Sequence, residues 1–532
     1  MSMDSPNIIF MTIDGLRYDR LGFGGYAPAH SPNLDRLSQE GASFSNYHCH
    51  GSPTQFSFPS MFSSTYPLDE GGYGRGIRDR AASFVEVLQR AGYWTIGLSL
   101  GGALTAAYGY NRGFSQYHHL NEISVPLSTA WKNEIAYYRD LLAKGQITLP
   151  ELVANTLETL ELALASTIEL CAEKQMEIAT GAIATSQAFH GANFPKIAAA
   201  MRDELARLRA NPTTYLQWLI GFNSAEQAYP QLPLPLVSRN RLAGHVQNYA
   251  NRALESFDVT LRFGRQKHMG AKQVFDSIDR YISRADGKRF FIWGHVIDVH
   301  DMCFGDGKVY LPPVTSPGFR KIRGQGREYR GLRRYDYAVS YVDGLIGRLC
   351  ARLKQSGLDK NTIIVVTSDH GLAANWPRPS VNHVANFYEE HCHLPLIFWQ
   401  HGMPARKIDA LFGSVDLPAT LLGILGLEAP PSFRGVNALA ENESGRPYIL
   451  MENLGRGPYD LARKAIRLAI RTRDRKYIMD DQDGRCQMRE VYNLASDPDE
   501  FINLLGHPSE QQEIVRVESI GTDRCREVRR QA

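Results

Sequence analysis

Asp369 and His370 close an apolar run, Ile363 to Gly371 (IIVVTSDHG), and Asp14 closes a second one, Asn7 to Ile13 (NIIFMTI). In an open parallel sheet the ligand crevice lies just beyond the carboxyl ends of the strands, so two carboxylates and an imidazole carried there point into one site. Mixed oxygen and nitrogen donors of this kind suit a divalent metal ion. Between the two runs comes GSPTQFSFPSMFSSTYP (Gly51 to Pro67), where Thr54, Ser57, Ser60 and Ser63 recur every third residue, roughly one face of a helix that Thr54 begins. A hydroxyl at a helix N-terminus sees the positive end of the dipole and unpaired N–H groups, which favour an alkoxide and the anionic group it attacks. If Thr54 also touches the metal of Asp14, Asp369 and His370, coordination activates it as a nucleophile. Local sequence alone supports the plainer reading, an N-cap threonine.

The elements that must position these residues follow from the hydrophobic pattern. Over the first 120 residues short β-type runs alternate with helical ones (NIIFMTI, PNLDRLSQEG, SFVEVLQRAG, YWTIGLSL), which is the signature of βαβ units around a parallel sheet. The pattern resumes with Phe290 to His295, a helix near Tyr335 to Ser356, the strand at Ile363 and another at Leu394 to Trp399. Residues 121–283 differ: they are rich in Ala, Leu and Glu, and Val153, Leu157, Leu160, Leu164, Ile168 and Cys171 recur at intervals of three and four. This reads as a helical insertion whose stripe is ordinary core, with a lid or a homo-oligomerisation arm as the alternative. After residue 446 strand-like runs (YILMEN, AIRLAIRT, KYIMDD, REVYNL) precede a charged tail, a small α+β subdomain over 446–532 beside a catalytic α/β domain over 1–445. The acidic Asp480, Asp481 and Asp483 read as a solvated turn.

The balance of 59 Lys and Arg against 56 Asp and Glu gives a net charge of +3, which argues neither for nor against an anionic partner, and no nucleic-acid partner is expected. Seven scattered cysteines without C-x-x-C spacing read as reduced thiols, and the N-terminus shows no basic segment followed by an apolar one. No apolar run is long enough to span a membrane. A cytoplasmic location is the expectation.

Taken in order, IDGLRYDRLG, PNLDRLSQEGASFSN, TQFSFPSMFSSTYP, AGYWTIGLS, HVIDVHD, YDYAVSYVDGLIGRL, TSDHG, VDLPATLLGILG and VYNLASDPDEFINLL resemble the sulfatase branch of the alkaline phosphatase superfamily. The resemblance covers most of the chain outside the insertion. It implies an alkaline-phosphatase-like α/β sandwich with a central, mostly parallel sheet, a small C-terminal domain, one catalytic metal ion and a nucleophile at a helix start. Asp14 then matches the first metal-binding Asp, Gly15 stands where sulfatases carry a second Asp, and Asp369 and His370 match the late ligand pair. Thr54 falls on the nucleophile of C-x-P-S-R-x-x-x-x-T-G-x-Y-P, where sulfatases oxidise Cys or Ser to formylglycine. Neither that Cys nor the following Arg is present, so no formylglycine is expected, and the Lys-His pair of sulfatases is missing after AGYWTIG. By the same resemblance His300 is a residue that contacts the ester or leaving group, with His295 and Asp298 beside it, and His383 and His393 line the site. Arg17 is a candidate substrate-binding cation or else the partner of Asp19.

A formylglycine hydrate expels sulfate by collapsing to the aldehyde, an exit that a sulfated threonine lacks. A phosphothreonine can be displaced by water or an alcohol. The expectation is therefore a metal-dependent hydrolase or transferase favouring phosphate esters, phosphodiester or phosphonate, with a small-molecule, glycan or lipid-type substrate. The alternatives are a sulfuric ester hydrolase and a non-catalytic binding protein of the same fold. For the metal, a histidine among oxygens favours zinc or manganese, with calcium or magnesium as alternatives.

Overall fold

A computed structural model describes residues 5–120, 123–181, 193–230, 232, 270–303, 330–374, 386–455, 457–482 and 484–531. Its centre is β1 (Asn7–Ile13), buried along its whole length between β5 (Phe290–Val296) and β6 (Thr362–Thr367), parallel to both. Beyond β5 lie β3 (Trp94–Ser99) and the edge strand β4 (Gln116–His119), again parallel. On the other side β7 (His393–Trp399) runs antiparallel to β6 and to β2 (Ala42–His48), which pairs with the short β8 (Arg406–Ile408) and β9 (Phe412–Gly413). The sheet is mixed and mostly parallel, as the alternating pattern predicts.

Side chains of successive residues go to opposite faces, and both faces are covered. Ile9, Met11, Ile292, Ile364 and Val366 enter one apolar core, while Ile8, Phe10, Phe291, Trp293, Ile363 and Val365 enter the other. That double burial is why these strands read as unbroken apolar runs. It also leaves their carboxyl ends as the place where polar side chains can gather.

Among the described residues of 121–283 there are helices and no strand, the longest being Leu149–Thr180. Leu160, Leu164 and Cys171 of its stripe are buried in the first core and Val153, Leu157 and Ile168 pack against it, so the ordinary-core reading holds. Its last turns are fastened to the sheet edge by polar groups: His118 Nδ1 lies 2.9 Å from Glu177 Oε1, and Lys174 Nζ donates to the His119 carbonyl at 2.6 Å. This covers β4, whose free edge would otherwise invite pairing with another chain. One boundary differs from the sequence reading. The helix Ala271–Ser283 buries Val274, Phe275, Ile278, Tyr281 and Ile282 against the sheet and so belongs to the sandwich. A helical period cannot separate the two cases.

The C-terminal runs form a four-stranded antiparallel sheet in sequence order, β10 (Ile449–Asn453), β11 (Arg467–Arg471), β12 (Arg475–Gln482) and β13 (Arg485–Asn493). The charged tail is a helix, Gln511–Gln531, whose buried Ile514, Val517, Cys525 and Val528 form a narrow stripe against that sheet. Asp480 and Asp481 are strand residues, not a solvated turn: Asp480 pairs with Arg467 and Arg489, and Asp481 with Arg529. Each charge answers an arginine across the sheet or from the helix, a pairing invisible to a local reading.

Candidate active site

Register brings the site together. Thr12 on β1 is level with His295 on β5 and with Thr367 on β6, so Asp14, His295 and Asp369 emerge side by side at the carboxyl edge. One ligating atom from each of these three lies within 4.8 Å of the others. Thr54 begins the helix Thr54–Ser63, which is buried from Phe56 onward, and its Oγ1 is 3.4 Å from Asp14 Oδ2 and 3.2 Å from His370 Nε2. The Ser57 and Ser60 hydroxyls on that helix turn back to the Gly51 and Thr65 carbonyls. They brace the helix and its flanking loops.

The protonation pattern is informative. His370 Nδ1 is 2.7 Å from the Gly371 carbonyl, which fixes the proton there and leaves the Nε2 lone pair aimed at Asp14 Oδ1, 3.3 Å away, and Asp369 Oδ2, 3.6 Å away. His295 Nδ1 lies 2.9 Å from Thr12 Oγ1, and its Nε2 is 3.9 Å from Asp14 Oδ2. A ring nitrogen held by a neighbour while the other faces carboxylates is the second-shell arrangement of a metal ligand. Asp14 Oδ1, His295 Nε2 and both Asp369 oxygens are buried with no hydrogen-bond partner among the described residues. Leaving buried carboxylates uncompensated costs several kcal/mol per ion, and burial together with Asp14 raises the Asp369 pKa. The donor set therefore fits a divalent cation. Burial likewise depresses His295, to about 4, keeping it the neutral imidazole that a metal requires.

His300 stands across this cluster, its ring 6.2 Å from that of His370 and nearly perpendicular to it. Burial works against its charge, but Asp14, Asp301 and Asp369 outweigh burial and raise its pKa to about 9; Asp301 Oδ1 is 3.1 Å from Nδ1. Gly15 lies beneath it with φ +79°, and a Cβ there would sit 3.5 Å from the His300 backbone and side chain. A second aspartate at position 15 would be strained whatever the space.

Of the residues singled out from sequence, Asp14, Thr54, Asp369, His370 and His300 converge. Arg17 is buried and donates to both Asp19 oxygens, at 2.8 and 2.6 Å, and to the Leu372 carbonyl at 3.2 Å, which is the ion-pair reading of that residue. His393 stacks between Tyr18 and His48, ring centroids 4.4 and 4.7 Å away, with Nε2 on the Ser45 carbonyl and Nδ1 3.6 Å from Glu389. It belongs to a separate cluster two strands over, where Arg471 and Lys476 already neutralise Glu389. His383 lies outside the described residues. His295 carried no assigned role in the sequence. Its signal was its position at the end of a strand that pairs with β1, which only the register reveals.

The family model described as Sulfatase matches residues 6–155 and 197–427, well over half of the chain. The chain belongs to the sulfatase family. The chain is 30% identical over 191 residues to arylsulfatase K of Bos taurus, an alignment covering 34% of the chain and 34% of the bovine protein, so the match spans about a third of that relative. Among solved structures, the phosphonate monoester hydrolase of Agrobacterium radiobacter superposes with a TM-score of 0.60 at 16% identity, over 99% of this chain and 96% of that one. A protein described as a 2-O GAG sulfatase superposes with a TM-score of 0.56 at 14% identity, over 99% and 93%. The two likenesses establish a common fold, an α/β sandwich built on a mostly parallel central sheet.

Proposed function

We propose that this chain is a metal-dependent phosphoester hydrolase, acting on phosphodiesters or phosphonate esters, with Thr54 as its nucleophile. The observation that carries the reading is the position of Thr54 Oγ1, at the head of a buried helix and within 3.4 Å of both Asp14 and His370. Asp14, Asp369, His370 and Thr54 would hold the ion, with His295 joining them from β5. Bound there, a divalent ion supplies positive charge that favours ionised Thr54 and offsets charge on a phosphoryl oxygen.

The rest is done by the chain's own groups. The helix N-terminus directs its free N–H groups toward an anionic ester. Ionised Thr54 Oγ1, its proton already released to solvent, attacks phosphorus in line and the departing oxygen takes a proton from His300, which Asp301 keeps charged and oriented. The phosphothreonine is then cleaved by water, with neutral His300 accepting the proton, so the cycle closes without change in any residue.

The arylsulfatase relatives favour a second reading, hydrolysis of sulfate esters. Thr54 counts against it, because a threonine cannot become the aldehyde hydrate through which a formylglycine enzyme releases sulfate. A panel of matched nitrophenyl phosphate, phosphodiester, phosphonate and sulfate esters, assayed on metal-loaded protein, separates the readings. Turnover of the sulfate ester alone would reverse the order.

A further inference from the structure

We propose that Cys486 and Cys525 are a disulfide-forming pair, joined when the chain meets a small-molecule disulfide such as oxidised glutathione, and that the bond ties the C-terminal helix to the small sheet. The inference does not depend on which ester the enzyme cleaves. Scattered spacing gave no sign of such a pair, since the two cysteines are 39 residues apart.

Three observations place them. Cys486 on β13 and Cys525 on the helix Gln511–Gln531 are both buried, with their Sγ atoms 3.4 Å apart. The helix is seated closely because position 521 is glycine: a Cβ there would lie 3.1 Å from Cys486 Sγ. The register is pinned by the Cys486 N–H, which donates to Thr522 Oγ1 at 3.0 Å. The thiols therefore face each other across a closely packed seam, with their sulfurs already adjacent in the folded protein.

The chemistry balances with glutathione disulfide as the oxidant. One protein thiolate attacks a glutathione sulfur, breaking the S–S bond and releasing one glutathione thiolate. The second protein thiolate attacks the protein sulfur of that mixed disulfide and releases the other. Two protein thiols are oxidised, one glutathione disulfide is reduced, and the two protein S–H protons end on the two released glutathiones. The contact with Cys486, together with burial, holds the Cys525 thiol protonated, so exchange proceeds when the helix opens or during folding.

The tie reaches the catalytic half through the neighbouring residue. Arg524 donates to both Glu452 oxygens, at 2.9 and 3.0 Å, and to Asp69 at 2.8 Å, while Glu452 accepts the Leu68 N–H at 2.6 Å. Leu68 and Asp69 follow the Thr54 helix in the chain. Closing a loop of this length restricts the unfolded chain, so the oxidised protein gains stability.

The full-length wild type is refolded and equilibrated with a glutathione disulfide buffer, quenched with acid, and measured by intact mass, non-reducing peptide mapping and thermal unfolding. The expected result is the loss of two hydrogen atoms, a peptide joining Cys486 to Cys525, two fewer titratable thiols than the seven in the chain, and a Tm several degrees above that of the reduced protein. Cys486→Ser and Cys525→Ser should each remove the Tm shift. An unchanged mass, a persistent glutathione adduct on either cysteine, or a cross-link mapped instead to Cys49 and Cys392, which adjoin through a 3.0 Å backbone hydrogen bond, would overturn the proposal. If a serine variant fails to fold, the wild-type map decides alone.

Discussion

Thr54 Oγ1 lies 3.2 Å from His370 Nε2 although 316 positions separate them. The contact depends on two elements meeting at one edge: the helix that Thr54 begins and the loop leaving β6. A hydroxyl beside a ring nitrogen whose other side is hydrogen-bonded to a carbonyl can donate its proton there, and the same oxygen and nitrogen lie beside Asp14, where both could turn to a bound cation. Metal-free protein should take up about one equivalent of zinc or manganese, measured by elemental analysis after gel filtration. Asp14→Ala should abolish uptake, and His295→Ala should weaken it by roughly tenfold or more. Full uptake in Asp14→Ala would place the ion elsewhere.

Asp369 has two buried carboxylate oxygens without a hydrogen bond among the described residues, and it faces Asp14. In the absence of metal this is a repulsive, poorly solvated charge, so Asp369→Asn should raise the stability of the metal-free protein by about 1–3 kcal/mol while destroying metal affinity. Urea unfolding of both proteins in chelator tests the sign. A less stable variant under those conditions would show that the carboxylate is compensated without an ion.

His300 is assigned the proton for the leaving oxygen. His300→Gln should lower kcat by roughly 10²–10⁴-fold for an alkyl phosphodiester and far less for a nitrophenyl ester, whose leaving group needs no proton. A leaving-group series measured on both proteins gives the comparison. Equal losses across the series would leave His300 a structural role.

Two buried histidines that are not themselves metal ligands set a pH dependence of stability. His50, with Nδ1 2.6 Å from the Leu450 carbonyl, and His119, with Nε2 2.9 Å from the Gly101 carbonyl, are each depressed by burial to about 4. Unfolded histidine titrates near 6.5, so between these values the unfolded chain binds more protons, and stability falls as pH falls through that window. Each contributes a loss on the order of 3 kcal/mol by the low end. Denaturant unfolding at about pH 7 and about pH 5 should show the decline, and His50→Gln should reduce it. An identical decline in the variant would exclude His50 as a source.

The strand-end acids, the helix start at Thr54 and the small C-terminal sheet were legible because each is announced by a local pattern: an apolar run, a hydroxyl period, an alternation. His295 was not, since its meaning lies in the pairing of β5 with β1, almost 300 residues away. Local sequence left Arg17 between a substrate cation and the partner of Asp19, and the surroundings of His393 lie equally beyond a local reading. Both lie at the same sheet edge as Asp14, but Asp19 takes the guanidinium of one, and the Glu389 cluster holds the ring of the other. Sequence places a side chain on an element; the partner that claims its charge comes from elsewhere in the fold.

The central claim is that Thr54 attacks phosphorus. The most direct measurement is the turnover of matched nitrophenyl phosphodiester and sulfate esters by metal-loaded wild type and Thr54→Ala, with circular dichroism to confirm an intact fold. The account expects the phosphoester to turn over faster than the sulfate in the wild type. It also expects Thr54→Ala to lose activity by on the order of 10⁴-fold or more. Undiminished activity in Thr54→Ala, or sulfate hydrolysis without phosphoester hydrolysis in the wild type, would contradict it.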